Sequence, residues 1–401
     1  MLNAKTVLDE LLLEDRWRSF LEYKRSRGYL FERDEKELIA LIEKKGYLPI
    51  VRKVRNGESL DKPTLKILNK AGTSKKRVVY SFETETAWTL KLLGYLLHRY
   101  DYHFAPNCFS FRKDFGVRSA IKNLIKDIKN KELYCYKLDV SNYFNSISVS
   151  ELLPMLQKLF ENDLKLFEFF RMLLTLVEGG GVMAGTPTSP FLSNVYLTEL
   201  DRYFYDNGAD YARYSDDIIL FAKTKEDIDA HKLYIKNHLT KLGLEINKKK
   251  EEMLEPNKPW SFLGIKYING EVDLSDITFD KIKAKIKRKA RALRRWCETK
   301  NIESEKAVKT MIKVFNKKFY EDAGKNELTW CRWFFPLITT DKSLKHVDEY
   351  LQNNLRFIMT GKHNKLNYKH ADYGFLKKLG YRSLVNAYHK EHKVHSTTCA
   401  V

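Results

Sequence analysis

The chain has 401 residues, 43% of them hydrophobic, with 72 lysines and arginines against 52 acids and a formal net charge of +20. That length suits two or three lobes around one or two cores, and that hydrophobic content excludes a disordered chain. The positive excess favours polyanions through counterion release, while no apolar run approaches the roughly 18–20 residues that span a bilayer, so no membrane partner is expected.

The opening "MLNAKTVLDELLLEDRW" has acids inside its apolar stretch and does not read as a secretory signal. Helices are expected over 5–26 and 34–46, and 47–80 is mixed, with a hairpin ending in "KKRVVYSF". Residues 83–100 and 116–130 read as helices, and "LYCYKLDV" (133–140) as a strand. Helices follow at 148–159 and 161–177, then a glycine cluster, "EGGGVMAGTPTSP" (178–190), and a helix over 188–206. "YARY" and "IILFAK" flank "SDD" as two strands flank a hairpin turn. Thr224, with Asp227 in capping-box position, starts the next helix, and Gly243 stops it. Ile228, His231, Ile235, Leu239 and Leu242 share one face of it, so His231 reads as a core or rim residue. "WSFLGIKYI" is strand-like.

The composition shifts near residue 276 towards basic, aromatic helices. In "KIKAKIKRKARALRRWCETK" (281–300) ten of twenty residues are basic and one is acidic, and Ile282, Ile286, Leu293 and Trp296 mark an apolar face. A solvated helix face is one reading. Charge of one sign repels itself, which favours the other reading, that phosphates pass by. The cysteines Cys108, Cys135, Cys297, Cys331 and Cys399 are scattered with no CxxC pair, so neither a zinc site nor a disulfide framework is expected, and a cytoplasmic setting fits best. With no repeat and no linker, the lobes are expected to pack on one another.

Asp216 and Asp217 stand in an apolar and aromatic run, and Asp139 ends the strand "YKLD". A hairpin tip explains the adjacent pair by itself, since turns favour Asp. If the two strands are neighbours, however, three carboxylates converge and repel. Two Mg²⁺ ions would relieve that repulsion and make a phosphoryl-transfer site. Hard oxygen ligands without a Cys/His cluster favour magnesium over zinc, with Mn²⁺ as the alternative. Gly185 and Pro187 in "GTPTSP" stand just ahead of a helix, where a glycine permits close backbone approach and amides face a ligand.

Taken in order, these segments resemble the prokaryotic reverse transcriptases, the class that includes group II intron, retron and defence-associated enzymes. "KLDVSNYFNSI" resembles the family's first aspartate motif, and "AGTPTSPFLSNVYLTELD" its template- and nucleotide-contacting motif. "YSDD" resembles the YxDD box, "LGLEINKKK" the lysine-bearing segment, and "WSFLGI" the primer grip. The likeness runs from about residue 65 to 270.

The resemblance implies an α+β, right-hand polymerase fold. Fingers would take 1–130, a palm with the YSDD hairpin 131–275, and a helical basic thumb 276–401. It implies RNA-directed DNA synthesis, with an RNA template, a DNA or RNA primer and dNTPs as partners. Asp139 and Asp216 would hold both metals, Asp217 would complete the cluster, and the Val140 carbonyl would add a ligand. Phe144 stands where the family carries a steric gate against a 2′-hydroxyl. Lys70 and Arg77 match the pair that clasps the triphosphate, with Lys75 and Lys76 as rivals. Gly185 would lie at the nucleotide, and Lys250 would face the pyrophosphate, with Lys248 and Lys249 as rivals. Arg112 would touch the template or nucleotide, or be plain surface charge. Lys285, Lys287 and Arg291 would hold duplex phosphates. Two departures stand out: Ala184 replaces the family's frequent glutamine, and "GTP" replaces "GSP".

No ribonuclease H carboxylate set and no zinc-ligated tail are visible. "NAYHK" without a "VTG" weighs against a retron enzyme, and Ser189-Pro190 against a diversity-generating one. The tail from "WFFPLITTDK" resembles that of stand-alone antiviral-defence enzymes, which implies a dedicated structured non-coding RNA as template. The alternatives are untemplated or protein-primed synthesis, with 23 tyrosines present as candidate primers, and a maturase-like RNA-binding protein. Oligomeric state has no signal in the sequence.

Overall fold

A computed structural model describes residues 6–28, 30–69, 76–129, 131–320, 329–364 and 366–398. They fall into two units, Met1–Pro256 and Asn257–Val401. In the first, strands β1 (Thr64–Asn69) and β2 (Lys76–Ser81) form an antiparallel ribbon. It is largely solvated, with Leu65, Ile67 and Leu68 exposed. The central sheet holds β3 (Tyr134–Asp139), β4 (Asp210–Tyr214), β5 (Asp217–Ala222) and β6 (Glu252–Leu254) in the order β4-β5-β3-β6. Every pairing in it is antiparallel. Leu138 and Ile218, Ile219 and Leu220 are fully buried, as expected of strands covered on both faces. Helix Lys225–Lys241 packs on β3 and β5, and helix Val117–Ile128 on β4.

Local signals place most of these elements. The Thr224 hydroxyl accepts the Asp227 amide at 3.1 Å and starts its helix, and Ile228, Ile235, Leu239 and Leu242 are buried. His231 is half-buried against Phe204 and held below its usual pKa by burial.

Three expectations for the first unit need correction, and a fourth gains detail. The helix expected over 5–26 is two, Val7–Glu10 and Glu14–Arg27, because Leu13 is extended (φ −82°, ψ 113°). Residues 83–100 form helix Thr84–Leu96 and then a 3₁₀ turn, Leu97–His103. The helix over 188–206 divides into Ser189–Tyr196 and Thr198–Asp206, with Leu197 at φ −108°, ψ 13° between them. The mixed segment before β1 contains helix Leu48–Arg55, with proline in its first turn.

In the second unit, β7 (Trp260–Phe262), β8 (Ile265–Ile268) and β9 (Glu271–Leu274) form a three-stranded antiparallel sheet. "WSFLGIKYI" is therefore a hairpin, turned at Leu263 (φ 50°) and Gly264 (φ 88°). Helix Asp276–Lys300 packs on Ser304–Phe319 and Lys342–Thr360. Its buried stripe is Ile282, Ile286, Ala290, Leu293 and Cys297. Trp296 was expected on that stripe but is half-exposed, because helical periodicity carries the seam from Leu293 to Cys297.

Candidate active site

Asp139 lies directly opposite Asp217 in the pairing of β3 with β5. Paired residues share one face of a sheet, so the two carboxylates are neighbours. Asp216 sits in the two-residue turn between Tyr214 and Asp217. That turn places Ser215 in the left-handed region at φ 61°, which is costly for a non-glycine residue.

A buried network holds the turn in that conformation. The Val140 amide donates to the Asp216 carbonyl at 3.1 Å, and the Ser215 amide to Ser110 Oγ at 2.9 Å. Arg213, on β4, is fully buried. Its guanidinium donates to the Ser215 carbonyl at 3.1 Å and to both oxygens of the buried Asp201 carboxylate at 2.8 and 2.5 Å. Tyr211 donates to the same carboxylate at 2.9 Å. Burial alone would lower the Arg213 pKa, but Asp201 overrides it and keeps the guanidinium charged. Sequence reasoning took Arg213 only as part of an apolar strand. The signal was present: Arg213 is the one charged residue between Tyr211 and Ser215, inside a run of otherwise uncharged residues.

The third side of the site is the segment after Gly243. The Asn247 amide donates to the Asp139 carbonyl at 2.8 Å, and Asn247 Nδ2 to Asp139 Oδ2 at 3.1 Å. Lys250 Nζ is ion-paired with Asp139 Oδ1. Of the three rival lysines, Lys250 is the one that reaches the aspartates in this structure. Burial opposes its charge, but hydrogen bonding to Asp139 and the charges of Asp139, Asp217 and Asp216 raise its pKa.

Asp216 and Asp217 are both held above the usual carboxylate range. Burial pushes Asp217 up to about 7, helped by the charges of Asp216 and Asp139 and by a hydrogen bond with Asp139. Asp216 is raised by burial and then by Asp139. Among the described residues, no three His, Cys, Asp or Glu side chains are gathered tightly enough to hold a metal as they stand, and Asp139 is turned to Asn247 and Lys250. The donor set nevertheless fits a hard divalent cation: it offers only oxygens, and its mutual repulsion is what a dication would relieve.

Phe144 lies in the turn Tyr143–Ser146 just after β3, with its ring 6.1 Å from Phe111, itself 6.3 Å from Tyr214. Asn145, which sequence reasoning passed over, bridges two segments. Its Nδ2 donates to the Val78 carbonyl at 3.2 Å, and its Oδ1 accepts the Ala184 amide at 3.0 Å. Tyr80 N donates to the Ala184 carbonyl at 2.7 Å. Gly185 (φ 98°) sits where a Cβ would come 2.9 Å from the Tyr80 carbonyl, so the close approach it permits here is to β2.

Arg77 is exposed on β2, opposite Leu68. Lys70 and its rival Lys75 lie outside the described residues. Arg112 is neither plain surface charge nor free. Its guanidinium donates to the Ala105, Cys108 and Asp101 carbonyls at 2.9, 3.0 and 2.9 Å, and covers the Phe115 ring at 3.8 Å. It also lines a cavity of about 430 Å³ beside Tyr214, Phe111 and Pro190, with Lys24, Arg27, Lys91 and Lys113 in the wall and no acid. Burial lowers the pKa of Lys24 and of Lys91. Lys24 and Arg27 on helix Glu14–Arg27 and Lys91 on helix Thr84–Leu96 escaped sequence reasoning because the two helices are far apart along the chain.

In the second unit, Lys285, Lys287 and Arg291 are exposed on helix Asp276–Lys300. Lys285 is lowered first by the charge of Lys318 and then by burial. No helix among the described residues is long and apolar enough to cross a membrane.

Comparison with known proteins agrees with the geometry. The family described as "Reverse transcriptase (RNA-dependent DNA polymerase)" matches residues 64–267. A stretch of 122 residues is 31% identical to the Retron Ec83 reverse transcriptase of Escherichia coli, covering 27% of this chain and 38% of that protein. The chain thus matches well under half the length of a relative of the kind its "NAYHK" segment weighed against. Among solved structures, apo telomerase from Candida tropicalis aligns over 79% of this chain and 67% of its own, at 11% identity and a TM-score of 0.42. Telomerase from Candida albicans in complex with the TWJ fragment of telomeric RNA aligns over 84% and 66%, at 13% identity and 0.42. Likeness at that level carries no argument.

Proposed function

This chain belongs to the reverse transcriptase (RNA-dependent DNA polymerase) family, and on that premise we propose that it extends a primer with dNTPs by copying RNA. The observation that carries the reading is the register that sets Asp139 opposite Asp217, with Asp216 in the adjoining turn. On this reading residues 1–130 are fingers, 131–275 palm and 276–401 thumb.

Asp139, Asp216 and Asp217, with the Val140 carbonyl, would hold two divalent ions, Mg²⁺ or Mn²⁺. Bound there, the ions would activate the primer hydroxyl and neutralise the departing pyrophosphate. The chain's own groups position the reactants. Phe144, held by neighbouring rings, excludes a 2′-hydroxyl. Arg77, with Lys70, binds the triphosphate, and the Gly185 loop lies at the nucleotide. Lys250 is half-exposed and can turn from Asp139 to a phosphate. Arg112 fixes the wall of the basic cavity, whose lysines bind template phosphates. Lys285, Lys287 and Arg291 bind the phosphates of the template–primer.

The test uses purified full-length chain with poly(rA)·oligo(dT), dTTP and Mg²⁺. Asp216→Asn should abolish extension and leave RNA binding intact; extension that survives it overturns the assignment. We extend the proposal to a dedicated structured non-coding RNA template in antiphage defence, on the tail's resemblance to defence enzymes. Sequencing RNA and DNA that co-purify with the chain tests this. DNA complementary to one abundant RNA supports it, and homopolymer without a template favours untemplated synthesis instead.

A further inference from the structure

The second unit contains a buried guanidinium with no counter-ion among the described residues. Arg356, on helix Lys342–Thr360, is 2% exposed. Among the described residues it makes no ion pair. Its Nε donates to the Ala371 carbonyl at 2.8 Å, while Nη1 and Nη2 have only long bonds to amide oxygens, Asn353 Oδ1 at 3.3 Å and Gln352 Oε1 at 3.4 Å. Asp372, whose charge reaches it through space, caps a helix by accepting the Phe375 amide. A buried charge normally has a partner, and a guanidinium has five donors. This one retains donor capacity.

Arg356 also lines a cavity of about 570 Å³, within the roughly 300–1,000 Å³ usual for small-ligand sites. The other lining residues are three asparagines (Asn353, Asn364 and Asn367), His363 and Tyr368. The exposed Tyr368 ring stacks on the guanidinium at 3.9 Å. Asn364 is exposed, and its side chain has no partner among the described residues. His363 lies parallel to Phe357 at 4.5 Å and 6°. Phe357 in turn lines a second cavity, of about 660 Å³, walled by Lys287, Arg288, Arg291, Arg294 and Arg295 and by Glu298, which is ion-paired with Arg294. The stacked pair therefore connects a pocket rich in amides and aromatics to a groove rich in arginine.

Each half suits one part of a nucleotide. Amide edges offer a donor beside an acceptor, the pairing that meets a base edge. Aromatic and guanidinium planes stack on bases, and arginines hold phosphates. A base can present its edge to such a pocket only when it is unpaired. We propose that the second unit carries a recognition site for an unpaired RNA nucleotide, with the base in the Asn353–Asn364–Tyr368 pocket and the adjoining phosphates on Arg288 and Arg295. This rests on the reading that the chain works on RNA, and it adds a base-reading site within the second unit.

The experiment measures binding of labelled RNA homo-oligomers of A, C and U to the full-length chain, with poly(rA)·oligo(dT) extension assayed in parallel. The wild type should separate the best from the worst oligomer by at least about fivefold, the discrimination that one well-met base edge supplies. Asn364→Asp keeps the side chain's shape but exchanges donors for acceptors, so it should erase or reorder that preference. Tyr368→Ala should flatten it. The Arg288→Gln/Arg295→Gln pair should weaken all three oligomers by a common factor and keep their order. Equal binding of the three by the wild type overturns the inference, as does a preference unchanged by Asn364→Asp. Extension without base preference would sink this site alone, whereas preference without extension would sink the polymerase reading alone.

Discussion

Replacing Arg213 by methionine keeps most of the side-chain volume and removes the charge. Asp201 then remains fully buried with Tyr211 as its remaining side-chain donor, and the Ser215 carbonyl loses its guanidinium partner. Breaking one side of a buried ion pair costs about 3–5 kcal/mol. That is a large share of the roughly 5–15 kcal/mol that holds a domain folded. At about 2–4 °C per kcal/mol for a unit of this size, melting should fall by roughly 6–20 °C. Scanning calorimetry of the full-length chain reads the shift. The pair Arg213→Met/Asp201→Leu removes both charges and should recover most of the loss, because no lone charge is left buried. Below the melting range the single variant should still extend primers poorly, since the turn carrying Asp216 has lost a clamp. A fall of less than about 3 °C, or a double variant worse than the single, would refute the claim that this pair holds the turn.

Three further outcomes are expected. Phe144→Ala should raise ribonucleotide use relative to deoxynucleotide by roughly tenfold or more, read as the ratio of kcat/KM values; an unchanged ratio removes the gate assignment. Neutralising Lys285, Lys287 and Arg291 together should reduce the slope of log affinity against log salt by roughly 2–3, and an unchanged slope would show that these side chains meet no phosphates. His238 is held below its usual pKa first by burial, with Glu199 and Asp201 pulling it up and Lys241 pushing it down, and its Nε2 is buried with no hydrogen-bond partner among the described residues. Folding then binds fewer protons than the unfolded chain does below about pH 6.5, so stability should drain away as pH falls from there towards the folded value. His238→Gln should flatten that part of the stability–pH curve, and an identical curve would refute it.

Much of the site could be read along the chain because its parts are local. "YARYSDDIIL" gives two apolar strands and a turn, Thr224 supplies its own cap, and the period of 281–300 sorts basic residues from buried ones. Local rules were weaker where a chain break depended on packing, as at Leu13 and Leu197. They also said nothing of how two residues are packed. The Arg112 guanidinium donates to the carbonyls of Asp101, Ala105 and Cys108. Gly185 stands close against the Tyr80 carbonyl.

By itself the sequence determined the family and singled out three aspartates as candidates, since ordered motifs and alternating strands are properties of near neighbours. Only the tertiary structure decided that β3 lies beside β5 in the register that faces Asp139 with Asp217. It alone joined Arg213 to Asp201, paired Lys250 with Asp139, and buried Arg356 with no counter-ion among the described residues. Those outcomes depend on which distant groups share a desolvated space. Charge and hydrogen-bond partners there are set by burial and distance, which spacing along the chain does not encode.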